Sequence, residues 1–89
     1  MDSKTISKIE KIIKKHIRKD ISCDADLSHL RYNRNLWEAD VILPAYSHPS
    51  NILGEINYNS KNNKITYYPP KEQIHAKKFI LENAVPYVY

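Results

Sequence analysis

Glycine is nearly absent from this 89-residue chain, and Gly54 is its only instance. That excludes the glycine-rich phosphate loops and dinucleotide fingerprints, which need several glycines at fixed spacing. Cysteine is equally scarce. Cys23 stands alone, so no disulfide closes within the chain and no multi-cysteine metal site exists. No window approaches the eighteen or more apolar residues of a membrane span. The leading residues MDSKTISKIEKIIKKH lack the apolar core and small-residue cleavage site of a secretory signal, so the expected location is cytoplasmic. There is no repeat at a fixed period and no low-complexity tract.

What is present suits a small folded domain. Hydrophobic residues make up 42% and charged residues 27%, which is ordinary for a globular chain. The length allows a single domain, residues 1–89, with one modest core. Charge is uneven. Residues 4 to 19 hold Lys4, Lys8, Lys11, Lys14, Lys15, Arg18 and Lys19 against Glu10 alone, a local balance of +6. The whole chain carries +4, which leaves −2 for the remainder. Basicity belongs to one segment.

That segment reads as a helix over Ser3–Lys19. Ile6, Ile9, Ile13 and Ile17 recur at spacings of three and four, and Ile12 widens the stripe. Ser3 or Ser7 is a suitable cap, and Asp2 suits the positive end of the helix dipole. DISCDAD (residues 20–26) is turn-like. Leu36–Leu43 reads as a strand with Trp37, Ala39, Val41 and Leu43 on one face and Glu38 and Asp40 on the other. Leu27–Tyr32 is either its hairpin partner across Asn33-Arg34-Asn35 or a short helical turn, since Leu27 and Leu30 are three apart.

The best-specified stretch is Ile52–Tyr68. Ile56 and Tyr58 alternate with Glu55 and Asn57, and Ile65 and Tyr67 repeat the pattern after a polar turn at residues 59–63. Asn63 is placed to take the left-handed conformation that closes such a turn. Gly54, inside a strand, implies a bulge or a close neighbour. Pro69-Pro70 ends the last strand and opens a second helix, Lys71–Asn83. There Ala76, Phe79 and Ile80 share a face, with Ile74 and Leu81 flanking. The predicted fold class is α+β: an N-terminal helix packed on an antiparallel meander of three to four strands, then a second helix.

Trp37-Glu38-Ala39-Asp40-Val41, then Gly54-Glu55-Ile56-Asn57-Tyr58-Asn59 and a turn into Lys64-Ile65, resembles the PepSY-like domains. Their last hairpin reads G-x-V-x-V-D-x-x-x-G-x-V. Motif content is confined to residues 54–65, and Asn59 and Asn63 stand where that pattern has Asp and Gly. The resemblance implies a helix followed by an antiparallel meander. It also implies binding and restraint of proteases or other proteins without a catalytic set.

Chemistry-bearing residues are sparse. Cys23, Asp24, Asp26 and His29 form a loose cluster with mixed ligand types. It reads as a small buried thiol beside a solvated acidic turn, and no metal or cofactor is expected. Glu38, Asp40 and Glu55 line one sheet face, where carboxylates are ordinarily the solvated side of a one-sided sheet. No catalytic residue is assigned.

Two features point to binding. Tyr46, Tyr58, Tyr67, Tyr68, Tyr87 and Tyr89 lie in or near the sheet and tail, and tyrosine is enriched at protein interfaces. Lys8, Lys11, Lys15 and Arg18 lie along one side of the first helix, where such a stripe can follow phosphates. The expectation is therefore a small non-enzymatic protein-binding or regulatory module of the inhibitor or immunity type. Its contacts are with a protein partner or a second copy through the tyrosines. The alternative is a nucleic-acid-binding protein using the basic helix. The isoleucine-only apolar face of that helix argues against a membrane surface.

Overall fold

A computed structural model describes residues 2–47 and 49–84 of the chain. The order is helix α1 (Ser3–Asp20), strands β1 (Asp26–Asn33), β2 (Leu36–Ile42), β3 (Ile52–Asn59) and β4 (Lys64–Tyr68), then helix α2 (Lys71–Ala84). The four strands form one antiparallel sheet in the order β1-β2-β3-β4. This is the expected α+β arrangement with all four strands present. None of the described helices is long and apolar enough to cross a membrane.

Asp2, rather than Ser3 or Ser7, caps α1: its carboxylate accepts from the Thr5 backbone N–H at 2.8 Å. That hydrogen bond holds the Asp2 carboxyl below the usual carboxylate range. The isoleucine stripe behaves as its spacing predicts. Ile9, Ile13 and Ile17 are buried in one core cluster with Trp37, Ala39, Val41, Ile56 and Tyr58. Ile6, one turn earlier, is on the margin of exposure.

Register explains the shared face. Trp37 lies opposite Tyr58 and Ala39 opposite Ile56; Ile56 lies opposite Tyr67 and Tyr58 opposite Ile65. Directly opposed residues project to the same side, so these six side chains form the floor on which α1 sits. The β3–β4 turn closes with Asn63 at φ 59°, and the Asn63 side chain also accepts from the Tyr58 hydroxyl at 2.8 Å. The β1–β2 turn is tighter still. Arg34 and Asn35 have φ of 49° and 68°, as a two-residue type I′ hairpin requires.

Leu27–Tyr32 is a strand with a bulge. Ser28 pairs with Asp40 and Arg31 with Glu38, so His29 and Leu30 together face the single residue Ala39. His29 takes φ 58°. The extra residue explains the helix-like spacing of three: the bulge lets Leu27, Leu30 and Tyr32 share the inner side while Ser28 and Arg31 point outward.

The fold overturns two local readings. The inward face of α2 is Ile74, fully buried, with Leu81 half-buried; Phe79 and Ile80 point to solvent at 67% and 65% exposure. Ile74 seats against Gly54, and His75 Nε2 meets the Asp20 carbonyl at 2.8 Å. These two contacts fix the helix's rotation, and its own apolar periodicity does not. Cys23 is exposed rather than buried, because it sits in the turn after α1.

Candidate functional site

The described tyrosines do not converge on one surface. Tyr58 is core. Tyr67 is half-buried on the same inner face, its hydroxyl donating to Asp20 Oδ2 at 2.9 Å and lying 3.3 Å from the His16 carbonyl. Burial, together with that carboxylate, pushes the Tyr67 phenol well above its ordinary value. It therefore stays neutral and clamps β4 to the end of α1. Tyr46 packs against the core from the loop after β2. Tyr68 projects from the opposite, outer side of the sheet and is exposed. Tyr87 and Tyr89 lie outside the described residues.

The outer sheet face is an ionic cluster centred on Arg31, which the sequence did not single out. Its guanidinium reaches Glu55 at 2.6 Å, Asp40 at 3.5 Å and Glu38 at 3.7 Å, and also donates to the His29 carbonyl at 2.9 Å. Asp40 and Glu55 are directly opposed across β2 and β3, an arrangement that is destabilising for like charges. One arginine serves three carboxylates, so this cluster keeps a balance of −2. Among the described residues, no group of three or more His, Cys, Asp or Glu is disposed to hold a metal ion.

The inner side offers a different feature. Between the first two turns of α1 and β1 runs a groove of about 530 Å³ lined by Ile6, Glu10, Leu30, Arg31, Tyr32 and Trp37. The Tyr32 and Trp37 rings stack at 4.8 Å with their planes tilted by 52°. Trp37 forms a buried floor, and Tyr32 is 47% exposed at the rim. β1 is an edge strand, so this groove opens along an unpaired strand edge. The sequence contained all six residues, but they come from positions 6, 10, 30–32 and 37, and only the strand pairing assembles them. The one local clue was Tyr32 two residues before the Arg34-Asn35 turn, which places it opposite Trp37.

The basic stripe survives folding as a surface. Lys14 pairs with Asp26 at 3.6 Å. Among the described residues, Lys4, Lys8, Lys11, Lys15, Arg18 and Lys19 have no carboxylate within 4.0 Å. All six are exposed. Compared with protein-family models, curated proteins and solved structures, the chain matches none of them.

Proposed function

We propose that this domain is a non-enzymatic protein-binding module of the cytoplasm, acting as a regulator or inhibitor through the groove at β1. The observation that supports this reading is the apolar groove itself, floored by Trp37 and rimmed by Tyr32. Aromatic residues in a concave, partly desolvated setting are the usual anchors of protein contacts. The PepSY-like resemblance points the same way.

The occupant is a different protein, presenting an aliphatic or aromatic anchor flanked by a cationic or hydrogen-bonding group for Glu10. A second copy is disfavoured there. Two domains joined through their β1 edges would bring two α1 helices of local charge +6 toward each other. The test is capture of a partner from extract of the source cell, followed by affinity measurement with the purified pair. Tyr32→Ala should weaken binding by about thirtyfold, the ~2 kcal/mol of an aromatic hot spot, with an unchanged circular dichroism spectrum. A captured partner that binds Tyr32→Ala as tightly as the native domain would refute the groove as the contact. Failure to capture any partner reproducibly would refute the module reading.

A further inference from the structure

The solvent face of α1 carries a cationic surface, separate from the groove. We propose that it binds the phosphate backbone of double-stranded nucleic acid without reading sequence. At about 100° per residue, Lys4, Lys8, Lys11, Lys15, Arg18 and Lys19 all fall within an arc of about 100°. The centre of that arc lies almost opposite the buried Ile9, Ile13 and Ile17. The ladder from Lys4 to Arg18 rises about 21 Å at 1.5 Å per residue. Six cations therefore stand in one line on a rigid, docked helix.

Such a line could be quenched internally, and here it is not. The only carboxylate on the exposed part of α1, Glu10, lies on the flank beside the groove. Asp26 is taken by Lys14, and the remaining acidic cluster, Glu38, Asp40 and Glu55, is on the far side of the sheet around Arg31. The domain is thus polarised across its thickness, with a cationic helix layer on one side and, on the other, a sheet face bearing the Arg31 cluster of balance −2. A polyanion is attracted to α1 and repelled from the opposite face, which orients the domain on the ligand.

Three occupants compete for a cationic stripe. A lipid surface would need apolar anchors beside the cations, but the apolar face of α1 is spent in the core. Single strands are held by stacking on aromatic side chains, and the exposed arc of α1 contains none. A duplex needs only a rigid row of cations, since it offers one negative charge per about 1.7 Å of axis. Lysine in place of arginine suits non-specific backbone contact, because bidentate base readout favours arginine.

The experiment is fluorescence-anisotropy titration of the full chain against two duplex DNAs of unrelated sequence, across 50–200 mM salt. With four to six phosphate contacts, log K should fall against log salt with a slope between about −3.6 and −5.4. That is a loss of roughly two to three orders of magnitude over this fourfold range. Lys8→Gln/Lys11→Gln should make the slope shallower by about 2 and weaken both duplexes equally. Lys15→Gln/Arg18→Gln should do the same, and all four positions are exposed, so circular dichroism should not change. The proposal is overturned by absence of binding at 50 mM salt, by a slope shallower than about −2, or by variants that bind like the native chain. It is equally overturned if polyglutamate or anionic vesicles bind more tightly than the duplexes. None of these outcomes depends on Tyr32, and Tyr32→Ala should leave the salt slope intact.

Discussion

Gly54→Val should destabilise the domain by about 3 kcal/mol, and Gly54→Ala by about 1–3 kcal/mol, measured as a shift in the urea midpoint at unchanged slope. Gly54 has an ordinary backbone conformation, so the effect is steric and owes nothing to a left-handed φ. A Cβ at this position would lie 2.8 Å from the Tyr68 carbonyl oxygen, 3.0 Å from Pro69 Cδ and 3.1 Å from Ile74 Cδ1. The first contact is with backbone of the neighbouring strand and cannot rotate away. Against a total stability of about 4–13 kcal/mol for a chain of this length, the valine variant removes a large fraction. Ile74→Ala in the alanine background separates the causes. It removes the side-chain collision but not the one with Tyr68, so the double variant should remain less stable than Ile74→Ala alone. If Gly54→Ala proves as stable as the native domain, β4 and α2 do not close over β3 at this distance.

Gly54 also shows how much the sequence could disclose. A lone glycine inside an alternating strand signals a close neighbour, and the neighbour is there. It did not say which element approaches, because the Tyr68–Pro69 corner and Ile74 are contributed from fourteen to twenty residues away. Asn63 was legible for a local reason: a left-handed turn position has few candidates, and asparagine was the best available. β1 was ambiguous because a bulge converts a period of two into a spacing of three, which imitates a helical turn. The face of α2 was misread because a short helix anchored by one residue, Ile74, need not bury its most apolar side.

The two candidate surfaces differ in the same way. The lysine ladder follows from helical spacing and could be read directly. Its lack of acidic partners could not, since nothing in the spacing distinguishes Lys11 from Lys14 as the neighbour of Asp26. The groove was invisible at the sequence level because it depends on the pairing of β1 with β2 and on where α1 crosses them. The tyrosines attracted notice as a class. The fold gives them separate tasks, with Tyr58 in the core, Tyr67 as a clamp on Asp20 and Tyr32 as the one stacked on Trp37.

Ile13→Ala should cost about 2–5 kcal/mol. Ile13 is 0% exposed and sits midway along the buried stripe of α1. Truncating it removes three carbons from a core with thirteen buried apolar residues among those described, in a domain too small to spread the resulting cavity over many neighbours. Alanine is the better helix former, by up to about 0.7 kcal/mol, which offsets a minor part of the loss. In proteins most helical stability comes from packing an amphipathic face, and isoleucine is only a moderate helix former. Helix α1 therefore exists because it is docked, and loss of the Ile13 contact weakens helix and core together. Ile6→Ala, at the exposed margin of the same stripe, should cost less than about 1 kcal/mol and serves as the control. Chemical denaturation followed by Trp37 fluorescence reads both, since the single tryptophan lies in the core cluster with Ile13. Equal effects from the two substitutions would show that α1 does not dock through the Ile9–Ile13–Ile17 stripe. That outcome would remove the rigid platform on which the cationic ladder depends.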